Sequence, residues 1–106
     1  MGKIILVLTT LPDQASALTL AERIVNAKLA ACVNILGTCK SIYHWQGKIE
    51  SAEETPVLIK TTEDAYPALE KTIRELHPYE LPEILQVPIA NGLAAYLQWV
   101  AAETSL

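Results

Sequence analysis

The order of apolar segments in this sequence predicts an α+β fold, in which helices cover a sheet. Runs typical of strands occur in five places: 4–8, 31–36, 41–46, 48–62 and 83–89. Apolar residues at helical spacing lie between the first two runs, between the last two, and at the end of the chain. The order βαββαβ with a C-terminal helix is that of a ferredoxin-like sandwich. At 106 residues, the chain is expected to form one domain, 1–106.

The first strand and helix are delimited by their end residues. Ile4 to Leu8 is aliphatic throughout, which predicts a strand buried on both faces. Asp13 is expected to be the N-cap of the helix that follows, which should end near Lys28. The apolar face of that helix is expected to consist of Leu18, Ala21, Val25 and Leu29.

A long hairpin is predicted next. Ala31 to Leu36 is predicted to form a strand, Gly37 a bend or bulge, and Ser41 to Gln46 the continuation of that strand toward a turn at Gln46 and Gly47. Lys48 to Thr62 returns as the antiparallel partner. Its middle is expected to be an edge or a bulge with solvated carboxylates, because it contains Glu53, Glu54 and Pro56. The hairpin should therefore overhang the domain.

The last third of the chain predicts a helix, a short strand and a second helix. The first helix should begin near Glu63, because Pro67 is tolerated only in a first turn, and Pro78 should end it. A strand follows from Glu83 to Ile89, and Asn91 is expected to cap the last helix. The apolar faces of the two helices are predicted to be Tyr66, Leu69, Ile73 and Leu76, and then Leu93, Tyr96, Leu97 and Val100.

Composition limits the classes of partner. A hydrophobic fraction of 51% with 19% charged residues is rich for so small a domain. Two helices cover one face of such a sheet, so we expect a second copy to shield the other face of the first strand. A net charge of −4 without a basic run argues against nucleic acid. The apolar runs are much shorter than the roughly 20 residues of a membrane span, and no signal peptide is evident, so a cytoplasmic protein is expected.

The two cysteines, Cys32 and Cys39, give no metal or disulfide signal. They lack a Cys-x-x-Cys spacing and a second pair, which argues against structural zinc. If they share one extended strand, they stand too far apart for a disulfide. Both are expected to be reduced and buried.

Several motifs together resemble one known family. Tyr-x-Trp-x-Gly-Lys begins at Tyr43, and His-Pro-Tyr begins at His77. With Leu-Ala-Ala-Cys ending at Cys32 and Ile-Lys-Thr around Lys60, these motifs resemble the divalent-cation-tolerance (CutA) family. The resemblance runs from the first strand to Trp99. It implies a tight homotrimer in which the hairpin extends a neighbour's sheet.

The resemblance also implies a role in divalent metal tolerance, with copper held by some members through a cysteine near the end of the first strand and the His-Pro element. Thr9 occupies the position of that cysteine here, and Leu76 precedes His77 where a second histidine would stand. Because the soft ligand that copper prefers is missing, only weak copper binding is expected.

His77 and Glu80 are the candidate metal ligands, since imidazole plus carboxylate is a partial shell for a divalent transition metal. The alternative is a histidine favoured at a helix C-terminus by the helix dipole. His44 is a second candidate, with a solvent-facing or interface position as its alternative. Further residues could line a ligand cleft between subunits or simply pack an interface: Tyr43, Trp45, Lys60, Tyr79, Glu83, Tyr96 and Trp99.

The functional hypothesis is a non-catalytic trimer that contributes to divalent metal (copper) tolerance through weak metal binding. No nucleophile with a sequence-adjacent base and no glycine-rich phosphate loop occurs. Two alternatives remain: a small-molecule sensor similar in architecture to PII signalling trimers, and a trimeric structural or assembly module that docks another protein.

Overall fold

A computed structural model describes residues 3–105 and confirms the α+β class. Its helices are α1 (Gln14–Asn26), α2 (Tyr66–Leu76) and α3 (Ala94–Glu103). Its strands are β1 (Ile4–Leu11), β2 (Cys32–Ile35), β3 (Cys39–Trp45), β4 (Lys48–Thr62) and β5 (Ile84–Pro88). The order of elements is the predicted one.

The sheet has the order β2-β4-β1-β5, with every neighbouring pair antiparallel. The inner half of β4 lies between β1 and β2, while its outer half pairs with β3 alone. From Glu54 outward to the turn, β4 pairs with β3 and has no residue of β1 opposite it. This overhang, as predicted, makes the molecule 44 Å long but only 26 Å and 23 Å across.

The middle of β4 forms an edge at Glu53 and Glu54, which pair with β3 alone, but not at Pro56, contrary to the sequence-based expectation for that residue. Pro56 pairs in register with Thr10 of β1, and its carbonyl accepts a hydrogen bond from the Leu36 amide. On that side, β2 pairing ends at Val57 and β3 pairing begins at Glu54. The nitrogen of Pro56 therefore lies in the gap between the two strands, where no ladder hydrogen bond needs its missing N–H.

Helices α1 and α2 cover one face of the sheet and bury the main core there. The predicted N-cap is confirmed, because the Asp13 carboxylate accepts from the Ser16 amide at 2.8 Å. The predicted face of α1 is wrong for Leu18 and Val25, which are exposed. The buried face lies one residue earlier and consists of Ala17, Leu20, Ala21 and Ile24.

Helix α3 packs against β1 and β4. Val100 is fully buried but does not belong to the main core cluster, and Ile4 and Thr62 are buried at the start of β1 and the end of β4. The helix starts later than predicted: its N-cap is Leu93, with no side-chain hydrogen bond, and not Asn91. Helix α3 thus covers part of the second sheet face, which is the face opposite to α1 and α2.

The rest of the second face is open. Its exposed residues include Leu85, which pairs with Leu8, and Val87, which pairs with Leu6. Within residues 3–105, no helix is long and apolar enough to cross a membrane.

Candidate functional site

His77 sits where α2 ends and holds the helix against the central strand. Its side chain is only 8% exposed. The Nε2 atom lies 2.6 Å from the carbonyl oxygen of Thr10, and Nδ1 accepts a hydrogen bond from the Tyr79 amide at 3.1 Å. A carbonyl only accepts and an amide only donates, so the ring is the neutral tautomer with its proton on Nε2. Both ring nitrogens are therefore occupied by the backbone.

The place of this contact follows from the sheet. Pairing of β1 with β5 ends at Thr9 and Ile84, so the Thr10 carbonyl has no β5 residue opposite it. A buried carbonyl without a partner costs stability. The imidazole of His77 supplies the hydrogen bond that the missing strand would have made.

A buried carboxylate lies nearby on β4. Glu54 is 8% exposed, and its Oε2 accepts a hydrogen bond from the Thr10 hydroxyl at 3.1 Å. The expectation that Glu54 belongs to a solvated edge is therefore wrong, because Thr10 and Tyr79 cover it. Burial first, and then the neighbouring Glu54 carboxylate, raises the pKa of Tyr79 above its ordinary value. The cluster joins β1, β4 and the segment after α2.

Glu80 and Glu83 lie on the segment between α2 and β5, and both are exposed. Glu80 lines an open groove of about 410 Å³ along α2. The cations of this groove are Lys71 and Arg74, both of which belong to α2. In residues 3–105, no group of three His, Cys, Asp or Glu side chains is arranged to hold a metal ion.

Lys60 lies in the inner half of β4, directly opposite Cys32 on β2 and Leu6 on β1. Its Nζ donates to the Oδ1 of Asn34. Tyr96 of α3 reaches the same region: burial first, and then Cys32, raises its phenol pKa. Lys60 and Asn34 thus contact each other on the second sheet face, and Tyr96 lies near Cys32, the β2 residue opposite Lys60.

The aromatic candidates fall in separate places of the single chain. Tyr96 and Trp99 pair on α3, with ring centroids 5.6 Å apart, and both are exposed. Tyr43 and Trp45 lie on one face of the overhanging hairpin, also exposed, and His44 is exposed on its opposite face. One chain alone does not bring these residues into one pocket.

Comparison with known proteins places this geometry in a family. The family model described as CutA1 divalent ion tolerance protein matches residues 5–103. The chain belongs to the CutA1 family. The divalent-cation tolerance protein CutA of Thermus thermophilus is 45% identical over 98 residues, 92% of this chain and 95% of that protein.

Solved CutA structures share the whole fold. The crystal structure of CutA1 from the psychrotrophic bacterium Shewanella sp. SIB1 has a TM-score of 0.95 and 40% identity, covering 99% of this chain and 98% of that chain. A protein from Archaeoglobus fulgidus, described as the periplasmic divalent cation tolerance protein CutA, has a TM-score of 0.91 and 34% identity, covering 94% and 97%.

The copper arrangement that the CutA resemblance implies does not fit the residues present. Thr9 supplies a hydroxyl in place of the soft thiolate, and this hydroxyl is buried without any hydrogen-bond partner. His77 offers no free nitrogen, and Glu80 is exposed in the neighbouring groove. The free thiols, Cys32 and Cys39, are half-buried on separate strands instead of fully buried as expected.

The sequence did not predict the polar residues that lie near His77 and Lys60. Thr10, Asn34 and the buried state of Glu54 became visible only through the strand register. The one local signal was the even spacing from Glu54 to Lys60, which places both on the same face of β4.

Proposed function

We propose that the protein contributes to divalent-cation tolerance as a non-catalytic homotrimer. The observation that carries the proposal is the CutA1 family match over residues 5–103. The open second sheet face supports the oligomer, because a stable domain rarely leaves a broad apolar sheet face in water. The overhanging hairpin supports it too, since its free edges need a partner.

The test of this role is a gene deletion. The deletion strain should grow less well than its parent at graded Cu(II), Zn(II) or Co(II) concentrations, and the wild-type gene should restore growth. Equal growth of parent and deletion strain across all three metals would contradict the proposal. The variant Leu85→Asp, in which assembly should fail, serves as the matched loss-of-assembly allele.

Direct copper binding is proposed only as a weak contact at His77 and Glu80. Any metal that binds His77 must displace either the Thr10 carbonyl or the Tyr79 amide, and this competition weakens affinity. Titration of Cu(II) should give a weak signal in the wild type that falls in Glu80→Gln and stays in His44→Ala. Unchanged Cu(II) binding in Glu80→Gln and His77→Ala would show that neither residue is a copper ligand.

A second candidate function is ligand sensing in clefts between subunits, like that of PII-type trimers. It is favoured by the exposed Tyr96 and Trp99 pair on α3, a helix that packs against β4, the strand of Lys60, since aromatic walls around a few polar groups are typical of small-ligand sites. A thermal-shift screen of metabolites tests it: a ligand at about 100 times its Kd stabilises the native state by about 2.7 kcal/mol. Silence across the screen favours the assembly module.

The cytosol is the proposed compartment. It is supported by two free thiols that are not engaged in a disulfide. The Archaeoglobus relative is described as periplasmic, so cell fractionation with an antibody against the native protein is the appropriate test. Recovery in the periplasmic fraction would contradict this assignment.

A further inference from the structure

We propose that the carboxylate of Glu54 in one subunit of the homotrimer forms an ion pair with the ammonium group of Lys60 in the next subunit. The inference rests on the proposed homotrimer and deepens it, because it names a charged contact that joins one copy of the chain to another. The partner that covers the second sheet face is thus a second copy, and each subunit supplies one half of the pair.

The first step is the burial of Glu54. It is 8% exposed, and among residues 3–105 no other Asp or Glu is buried. Its neighbours bring no positive charge: the Thr10 hydroxyl donates to Oε2 at 3.1 Å, and the Tyr79 phenol lies beside the same carboxylate. Asp13 also lies near Tyr79, so the surroundings are negative. Hydroxyl donors satisfy the oxygen atoms of Glu54 but leave its charge without a counterion.

The second step is the position of Lys60. The even spacing from Glu54 to Lys60 along β4 places both side chains on the second sheet face. Lys60 is half-buried, whereas every other Lys and Arg of residues 3–105 is exposed. Asn34, which contacts Lys60, is neutral and does not balance its charge. The buried anion and the one half-buried cation of the described chain therefore share the face that the homotrimer covers.

The third step excludes a pair within one subunit. Among residues 3–105, the ion pair within 4.0 Å joins Lys28 and Glu103. Glu54 and Lys60 lie six residues apart on one continuous strand, about 20 Å at the rise of a strand. No side-chain rotation closes this distance. Any ion pair between these two residue types must therefore join different subunits.

The fourth step is the effect of assembly on the two charges. A subunit that covers the apolar second face removes the water that still reaches Glu54 and Lys60, and a charge without water or partner is costly. In a cyclic trimer, each subunit can offer Lys60 to one neighbour and Glu54 to the other. The pairing offsets the desolvation of both groups. Lys48 also lies on the face of Glu54, but at the exposed hairpin tip, where water solvates it.

The experiment mixes two charge-reversal variants, Glu54→Lys and Lys60→Glu, and measures mass by size-exclusion chromatography with light scattering. Each variant alone places like charges at every contact, so it should dissociate at a concentration where the wild type is trimeric. An equimolar mixture should regain the trimer mass, because a mixed ring joins opposite charges at all but one of its contacts. Circular dichroism shows whether each variant is folded.

Neutral substitutions test the pair independently of charge reversal. Glu54→Gln keeps an acceptor for the Thr10 hydroxyl, and Lys60→Met keeps the aliphatic stem. Each should raise the subunit concentration at half-dissociation by about tenfold or more, because it leaves the other charge unpaired in the interface. Once Glu54→Gln is present, adding Lys60→Met should change this concentration by less than about threefold, since the pair is already broken.

Glu75→Gln and Lys71→Met are the matched controls, because both residues are exposed on α2, on the opposite side of the sheet. They should leave the half-dissociation concentration within about twofold. Lys48→Met tests the other lysine on the face of Glu54. Coupling of Glu54→Gln to Lys48→Met instead of Lys60→Met would overturn the inference.

The outcomes separate this ion pair from the homotrimer itself. A monomeric wild type would contradict the proposed homotrimer and the ion pair with it. A wild-type trimer that responds to neither Glu54→Gln nor Lys60→Met would overturn the ion pair alone. So would additive effects of these two substitutions, or a mixture of folded charge-reversal variants that stays dissociated.

Discussion

At the residue scale, His77 acts as a brace between α2 and the central strand. His77→Ala leaves the Thr10 carbonyl and the Tyr79 amide without their partner. We expect a loss of about 1 to 3 kcal/mol in the free energy of unfolding, measured by urea denaturation. His44→Ala, at an exposed hairpin position, should change it by less than about 0.5 kcal/mol. Equal effects of the two substitutions would contradict the brace.

A buried hydroxyl gives the second prediction at this scale. Thr9 is 2% exposed, and its Oγ1 has no hydrogen-bond partner. The isosteric Thr9→Val removes an unsatisfied group, so the melting temperature should rise, with a gain of about 1 kcal/mol. Thr61→Val is the matched control: the Thr61 hydroxyl donates to the Leu29 carbonyl at 2.7 Å, and its loss should destabilise by about 1 kcal/mol. Stabilisation by both substitutions would show that the hydrogen-bond assignment is wrong.

Alkaline stability should depend on Tyr66. Burial first, and then the adjacent Glu70, raises the pKa of this phenol from 10.0 to about 12. The folded chain thus holds the phenol proton more tightly than the unfolded chain. The resulting stability is fully present below pH 10 and is lost as the pH rises through about 12. In urea unfolding from pH 8 to 12, Tyr66→Phe should flatten the fall above pH 10. Identical pH profiles for the wild type and Tyr66→Phe would refute the proposed dependence of alkaline stability on Tyr66.

At the element scale, the tip of the hairpin requires a left-handed backbone. Gln46 and Gly47 have φ values of 51° and 81°, as a two-residue turn with positive φ at both positions demands. Gly47→Ala should cost about 1 kcal/mol of stability, measured by thermal unfolding. Gly37→Ala is the control, because Gly37 has no positive φ and an added methyl group meets nothing within 4 Å. A larger cost at Gly37 would contradict the turn assignment.

The helices and strands also show which features of the fold could be predicted from the sequence alone. Strand and helix order, the Asp13 cap and the overhang were predictable because they depend on local periodicity and turn residues. The α1 face was displaced because Leu18 and Val25 share helical spacing with Ala21, and periodicity alone does not say which apolar stripe meets the sheet. Pro56 was misjudged because its tolerance depends on where two other strands end.

The candidate site was less predictable for a related reason. His77 was identifiable as a rare residue at a helix end, but its two hydrogen bonds depend on the end of β1–β5 pairing, which is a long-range feature. Glu54 looked like a surface carboxylate because the residues covering it, Thr10 and Tyr79, lie far away in sequence. Contacts between residues that lie far apart in the sequence cannot be inferred from local sequence patterns.

At the scale of the whole molecule, the proposed homotrimer gives a paired test. Leu85 and Leu18 are 51% and 52% exposed, on β5 and on the outer side of α1 respectively. Leu85→Asp should shift the protein to smaller species in size-exclusion chromatography with light scattering, because it places a charge in the proposed interface. Leu18→Asp should leave the mass unchanged. A monomeric wild type, or an unchanged mass for Leu85→Asp, would refute the interface.

Within residues 3–105, the hairpin arm from Lys40 to Glu53 pairs with no further strand. The length of this arm is therefore independent of the packing of the main core cluster. Inserting two residues in each strand keeps every later side chain on its own face and extends the reach by about 7 Å. In the proposed homotrimer, the reach of one subunit toward the next can therefore change while the main core stays the same.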